Sequence, residues 1–197
     1  MINGRIEQNP REGLTSSKVR RFLSLPFRPC GLKTWFAVKR FEDIPVDTLL
    51  REGIEGILLD ADGTLGAHAT RCFPDSAVRH VQLMREKGLK VAIYTNASEN
   101  RFEQFNGVGI VSSVPAKPGH LGFEIAMKRH LALDDPAKVC MIGDNYLTDG
   151  GAVNAGMRFI YVKPVKGGET GPHRFARYLA YLCARLYSGK KFYYLSS

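Results

Sequence analysis

Two carboxylates stand two positions apart at the end of a short apolar run. The run GILL, residues 56–59, leads into Asp60-Ala61-Asp62-Gly63-Thr64. Carboxylates this close repel each other, and a hard cation such as Mg²⁺ relieves the repulsion. An EF-hand calcium loop needs further acidic ligands at fixed positions, and Gly63 directly after Asp62 breaks that pattern. The spacing therefore favours a cation site at a strand end over a calcium loop.

Three later segments supply other polar groups that chemistry could use. They hold Thr95 and Asn96 in YTNAS, Lys117 in AKPGH, and Asp144 and Asp149 in GDNYLTD. Phosphoryl transfer needs groups of these types. One carboxylate attacks phosphorus and a second acid protonates the leaving oxygen. Hydroxyl, amide and ammonium groups then hold the phosphoryl oxygens.

The elements that must position these groups alternate between strand and helix. Apolar runs predict strands at 56–59, 89–94, 139–142 and 158–162, and helical spacing predicts helices at 75–87, 99–105, 118–131 and 149–155. This alternation predicts an α/β fold with a parallel sheet flanked by helices. In such sheets the chemistry lies beyond the carboxyl ends of the strands, where the polar groups follow the predicted strands.

The order of the four motifs resembles that of the haloacid dehalogenase superfamily of phosphatases. DxDGT, a strand-end Thr, a Lys and GDxxxxD follow one another over residues 60–149. The resemblance implies a Rossmann-like fold and hydrolysis of phosphomonoesters through an aspartyl-phosphate. It also implies roles for the matching residues. Asp60 would be the nucleophile, Asp62 the general acid and base, and Lys117 the charge stabiliser. The phosphoryl-binding groups would be Thr95, Asn96, Gly63 and Thr64, and the Mg²⁺ ligands would be Asp60, the backbone carbonyl of Asp62, Asp144 and Asp149.

The spacing between motifs leaves no room for a cap domain. Thr95 lies 33 positions after Asp62, and Lys117 lies 22 positions after Thr95. The smallest folded domains have about 50 residues, so neither segment is long enough to hold one. The site is therefore expected to be open, which suits bulky substrates such as proteins, nucleic acids or membrane lipids. Arg71 and Arg101, which follow the first two motifs, could meet a second phosphate of a substrate, but we expect each to be an ordinary surface arginine.

The positive charge lies in the two ends of the chain. The protein has 28 Lys and Arg against 19 Asp and Glu, a net charge of +9, and residues 163–197 hold seven basic residues and one acid. Residues 51–162 are almost neutral. We therefore predict a basic N-terminal extension at 1–37, a phosphatase domain at 38–165, and a basic C-terminal helix and tail at 166–197.

The predicted C-terminal helix has two faces. Between residues 174 and 186, one stripe holds Phe175, Leu179, Leu182 and Leu186, and another holds Arg174, Arg177, Tyr181 and Arg185. Similar basic and aromatic clusters lie at 18–25, at Trp35-Phe36 and at 190–194. Such helices suit the surface of an anionic phospholipid membrane, although a helix packed on the core with solvated arginines shows the same pattern.

A narrower resemblance, over residues 38–165, is to a capless branch of the superfamily (subfamily IIIA). The segments FEDIPVDTLLREGIEGILLDADGTL and NAGMRFIYVKPV carry it. That branch includes phosphatidylglycerophosphate phosphatases of phospholipid synthesis. It implies a Mg²⁺-dependent enzyme that produces phosphatidylglycerol while bound peripherally to the cytoplasmic membrane face or its organelle-matrix equivalent.

Other functions remain open at this point. The same chemistry could act on a nucleic-acid 3′-phosphate, a phosphoprotein or a soluble phosphate ester, although no dedicated nucleic-acid module is recognisable. A basic scaffold that keeps the fold without activity is a third hypothesis, which the complete motif set disfavours. A membrane-spanning helix needs about 18 consecutive apolar residues, and no apolar run in the sequence is nearly that long. A cytoplasmic protein is therefore expected.

Overall fold

The computed structural model describes Leu23 and residues 32–96, 101–111, 114–168 and 170–188. Within these residues six strands form one parallel sheet in the order β1-β6-β5-β2-β3-β4. The predicted α/β fold with a parallel sheet is confirmed. The strands are β1 Phe36–Val38, β2 Gly56–Leu59, β3 Lys90–Ile93, β4 Gly109–Ile110, β5 Val139–Gly143 and β6 Arg158–Val162.

Helices cover both faces of this sheet. They are α1 Val46–Arg51, α2 Asp75–Glu86, α3 His120–Ala126 and α4 Gly171–Ser188. A π-helical turn, Met127–Leu131, continues α3, and short 3₁₀ helices form at Phe41–Asp43, Pro136–Lys138 and Asp149–Ala155. In the two segments that separate the predicted motifs, the described residues form only α2, β3 and β4 as helix or strand. No cap domain lies among them.

The strands have apolar side chains on both faces, which explains their near-continuous apolar sequences. Ile57 and Leu59 of β2 belong to a buried cluster that includes residues of α1 and α2. Leu58 belongs to a second cluster that includes residues of α3 and α4. Successive side chains of a strand point to opposite faces, so the two clusters are the two sides of the sheet.

The register of the central strands aligns their carboxyl ends. Leu59 of β2 is level with Ile93 of β3 and Ile142 of β5. The backbone continues this pairing one residue further, because the Asp60 amide donates to the Ile142 carbonyl (2.9 Å) and the Tyr94 amide to the Leu59 carbonyl (2.8 Å). The residues that follow β2, β3 and β5 therefore meet at one edge of the sheet.

Some predicted elements differ from those observed. The predicted helix at 99–105 is wrong over residues 101–105, which form turns because the buried rings of Phe102 and Phe105 pack around Phe73. Strand β1 was not predicted, and it crosses the boundary proposed between residues 37 and 38. The clusters at 18–25, apart from Leu23, and at 190–194 lie outside the described residues.

The N-terminal aromatic pair lies in the core and not on a membrane-facing surface. Phe36 is buried in β1, and its ring lies 4.9 Å from that of the half-buried Trp35. The guanidinium of Arg158 covers the Trp35 ring at 4.3 Å. This pair therefore gives no support to membrane contact.

Helix α4 packs on the sheet through Ala180 and Ala184, with the partly buried Tyr181 beside them, and the two ends of its apolar stripe are exposed. Ala180 and Ala184 are fully buried, whereas Phe175 is 67% exposed and Leu186 is 82% exposed. Leu179 and Leu182, between these two, are half-buried. Among the helices that the structure describes, none combines the length and the apolar character needed to cross a bilayer.

The close packing behind the site predicts an intolerant glycine. A Cβ on Gly122 would lie 2.2 Å from both the Pro115 carbonyl oxygen and the Tyr94 hydroxyl, which are themselves hydrogen-bonded at 2.7 Å. Overpacking of this kind costs about 1–3 kcal/mol. Urea unfolding of Gly122→Ala should show a loss of unfolding free energy in that range. Gly171→Ala, with nothing within 4 Å, is the control and should lose none. Equal stability of the two variants would contradict this packing.

Candidate active site

The predicted site residues meet at the carboxyl edge of the sheet. Asp60 follows β2, and Asp144 directly follows β5. Thr95 follows β3 after one intervening tyrosine. Lys117 lies before α3, and Asp149 begins the 3₁₀ helix after β5. All five side chains are buried, and among the residues that the structure describes only Thr64 and Arg101 are further buried polar or charged residues.

Lys117 joins two of the carboxylates. Its ammonium nitrogen lies 2.6 Å from Asp60 Oδ1 and 2.5 Å from Asp149 Oδ1, and its side chain is only 2% exposed. The nitrogen also lies 5.5 Å from the centre of the Tyr94 ring. The Lys117 backbone amide donates to Asn96 Oδ1 at 3.2 Å, which ties the lysine to the loop after β3. Lys117 of the third motif therefore contacts residues of the other three motifs directly.

Burial and neighbouring charges shift the pKa of both partners. The pKa of Asp60 is raised well above its ordinary value, because burial removes water and Asp149 adds negative charge, with Lys117 only partly offsetting them. Burial, the largest influence on Lys117, lowers its pKa, but Asp149 and Asp60 together raise it above its ordinary value. Lys117 is therefore held as a cation between Asp60 and Asp149.

Two glycines let the backbone approach these carboxylates. A Cβ on Gly63, whose φ is +82°, would lie 2.4 Å from Asp144 Oδ2, and a Cβ on Gly143 would lie 2.3 Å from Asp149 Oδ2. Asp149 Oδ2 also accepts the Asn145 backbone amide at 3.1 Å. The glycines of DxDGT and GDxxxxD are therefore needed because side chains there would overlap the acids.

Three acids form a group that fits a divalent cation. One carboxylate oxygen from each of Asp60, Asp144 and Asp149 can be chosen so that all lie within 4.8 Å of one another. Hard carboxylate oxygens are the ligands that such cations prefer. Burial is the largest cause of the raised pKa of Asp60, and the negative charges of Asp149 and Asp144 add to it; a nearby cation would lower that pKa.

The side chain of Asp62 lies outside this group. Its Oδ2 accepts a hydrogen bond from the Arg101 guanidinium, and its Oδ1 accepts the Ala69 backbone amide at 2.8 Å. Arg101 also donates to the Thr70 carbonyl at 3.2 Å and is 8% exposed. The expectation of a surface arginine is wrong for Arg101, because the Asp62 loop folds over it, whereas Arg71 is exposed as expected.

Thr64 lies in the turn after Asp62. Its amide donates to the Ala61 carbonyl at 3.3 Å, and its side chain is 1% exposed. Its hydroxyl has no hydrogen-bond partner among the described residues. Thr64 therefore has a buried hydroxyl in the turn beside Asp62, and its role in binding a phosphoryl group stays a prediction.

Sequence reasoning did not identify Arg177 as a site residue. This arginine of α4 donates to Asp144 Oδ2, and its side chain is 12% exposed. Its position on the basic face of an amphipathic helix gave no signal of this contact. The contact depends on how α4 docks on the sheet, and helical periodicity carries no information about docking.

The chain is similar to one family model and to solved structures. A family model described as haloacid dehalogenase-like hydrolase matches residues 28–156, more than half of the chain. An uncharacterized protein from Listeria monocytogenes serotype 4b is similar at 18% identity and a TM-score of 0.45, over 61% of this chain and 88% of that one. The core domain of a candidate phosphoglycolate phosphatase from Streptococcus pneumoniae TIGR4 is similar at 17% sequence identity and a TM-score of 0.41. That similarity covers 64% of this chain and 96% of the other. No curated protein matches.

The acidic group predicts that a divalent cation stabilises the fold. Saturating Mg²⁺ should raise the melting temperature by roughly 5 °C at constant ionic strength, because a ligand that binds only the folded state stabilises it. Asp144→Asn should lose most of this increase, since it removes one charged ligand. Asp134→Asn, an exposed acid elsewhere, is the matched control and should keep it. An undiminished increase in Asp144→Asn would show that the cation binds elsewhere.

Proposed function

Because the chain belongs to the haloacid dehalogenase-like hydrolase family, we propose that it is a Mg²⁺-dependent phosphatase acting through an aspartyl-phosphate. The observation that carries the proposal is the contact of Lys117 with both Asp60 and Asp149, beside Asp144. A nucleophilic carboxylate, a fixed cation and a group of acidic ligands are the parts this chemistry needs.

Asp60 and Asp62 divide the proton and phosphoryl chemistry between them. In the first step an Asp60 oxygen attacks phosphorus, the ester P–O bond breaks, and the Asp62 carboxyl gives its proton to the leaving oxygen. In the second step Asp62 removes a proton from water, the water oxygen attacks phosphorus, and the bond from phosphorus to Asp60 breaks. Arg101 and the Ala69 amide hold the Asp62 carboxylate in one orientation for both transfers.

The remaining residues stabilise charge on the phosphoryl oxygens. Lys117 is held in place by its two carboxylate partners, and such fixed charges cost no reorganisation during reaction. Thr95, Asn96 and Thr64 lie in the loops that border Asp60 and supply hydroxyl and amide groups. Mg²⁺ held by Asp60, Asp144 and Asp149, with the Asp62 carbonyl, would supply further positive charge.

We propose phosphatidylglycerophosphate at an anionic membrane surface as the substrate. Two features of the described residues support it. The carboxyl edge has no cap domain, so a substrate embedded in a bilayer could reach it. The stripe of α4 that points away from the sheet, marked by Phe175 and Leu186, is apolar and lies on a basic part of the chain, which complements anionic lipid.

The mechanism predicts that Asp60→Asn is inactive. The amide cannot attack phosphorus as a carboxylate does, so kcat should fall at least about a thousandfold. Phosphate release would be measured from phosphatidylglycerophosphate in mixed micelles, with p-nitrophenyl phosphate, a phosphopeptide and a 3′-phosphorylated oligonucleotide alongside.

Asp134→Asn controls for the loss of one acid and should keep full activity. Turnover by Asp60→Asn within tenfold of the unsubstituted protein would refute the mechanism. A preference of the unsubstituted protein for the phosphopeptide or the oligonucleotide would refute the lipid assignment while leaving the mechanism intact.

The exposed stripe predicts binding to anionic vesicles. The double variant Phe175→Asp and Leu186→Asp should reduce partitioning onto phosphatidylglycerol-containing vesicles at least about tenfold, because burial of each side chain stabilises binding by about 1.5–3 kcal/mol. Vesicle sedimentation measures this. The matched control is Leu83→Asp with Leu121→Asp, two exposed leucines on other helices. Equal partitioning of the two double variants would exclude the α4 stripe as the docking surface.

A further inference from the structure

A cavity of about 230 Å³ lies between the end of β6 and helix α4. Three cationic side chains and three tyrosines line this C-terminal pocket: Lys163, Arg174, Arg177, Tyr161, Tyr178 and Tyr181. Pockets for whole drug-sized ligands usually measure about 300–1,000 Å³, so this one suits a small group and not a complete lipid.

The charge of the C-terminal pocket favours an anion. Within the described part of the chain, no carboxylate forms an ion pair with Lys163 or Arg174. Arg177 does have a carboxylate partner, and that partner is Asp144 of the acidic group. The pocket therefore presents two cations without an acidic partner among the described residues, plus a third shared with the candidate active site.

The walls of the pocket hold these cations at the carboxyl edge of the sheet. The Lys163 amide donates to the Val38 carbonyl at 3.0 Å, which fixes the residue at the end of β6. The Tyr161 and Tyr181 rings stack at 5.4 Å between centroids and join the strand to α4. The Val165 amide donates to the Gly63 carbonyl at 2.8 Å, so the segment after β6 contacts the DxDGT loop directly.

We propose that the C-terminal pocket binds a second phosphate group of the substrate while the scissile phosphate lies at Asp60. This inference rests on the proposed function. Arg177 lines the C-terminal pocket and also donates to Asp144 of the candidate active site. The two sites are therefore adjacent, and a short linker would separate the two phosphates. Arg and Lys are the side chains that bind phosphate oxygens with charge-assisted hydrogen bonds.

The pocket would give a capless enzyme a means of selecting its substrate. Substrates carrying only the scissile phosphate would leave Lys163 and Arg174 unused. Substrates with a second phosphate would gain binding from both cations. Specificity would then come from α4, which lies beyond the residues 28–156 that match the family model.

Four substrates in two matched pairs test this inference. Glycerol 3-phosphate and glycerol 1,3-bisphosphate form a soluble pair with one and two phosphates. Phosphatidic acid and phosphatidylglycerophosphate form the corresponding lipid pair in identical mixed micelles. The unsubstituted protein should show a kcat/KM at least about tenfold higher for the two-phosphate member of a pair. Arg174→Gln should reduce that ratio about tenfold.

Arg79→Gln is the matched control, because Arg79 is an exposed arginine of α2, which packs on the other face of the sheet. A reduced ratio in the lipid pair alone would identify a lipid headgroup as the source of the second phosphate. Reduction in both pairs would show that soluble bisphosphates are also recognised. Equal ratios in Arg174→Gln and Arg79→Gln would overturn the inference and leave the proposed function standing. Absence of turnover with every substrate, p-nitrophenyl phosphate included, would refute both.

Discussion

The buried contact of Lys117 with Asp60 and Asp149 is the interaction on which the rest of the site depends. Charges removed from water are costly, and leaving one of them unpaired costs about 3–5 kcal/mol. The fold accommodates Asp60 and Asp149 beside Lys117, and Asp144 beside Arg177. The same contact holds Asp60 and Lys117, the proposed nucleophile and the proposed charge-stabilising group, at a fixed distance.

The topology of the sheet places these groups together without any single segment holding the whole site. Parallel strands β2, β3 and β5 end at one edge, and the loops that follow them bring the acids and the threonine there. Gly63 and Gly143 let two of these loops close around the carboxylates of Asp144 and Asp149. The arrangement of the site residues therefore depends on the order of the strands and on two glycine positions where a side chain would not fit.

The sequence was informative wherever the signal was local. Apolar runs located β2, β5 and β6, and the ordered motifs identified the acids and the lysine that the structure brings together. The turns at residues 101–105 escaped prediction because their apolar residues pack around Phe73 and not along a helix. Arg101 and Arg177 escaped because each depends on a contact distant in sequence, with Asp62 and Asp144 respectively. The helical periodicity of α4 also did not predict which of its faces meets the sheet. The small residues Ala180 and Ala184 are fully buried there, whereas Phe175 and Leu186 of the larger apolar stripe are exposed.

The most direct test of the account is to identify the residue that carries the phosphoryl group during turnover. Asp62→Asn lacks both the acid for the first step and the base for the second. The leaving group of p-nitrophenyl phosphate departs without a proton, so with this substrate the covalent intermediate should form, accumulate and survive quenching in acid. Peptide mass spectrometry should then find phosphate on Asp60. Phosphate on another residue, or its absence in a variant that still releases p-nitrophenol, would contradict the central role given to Asp60.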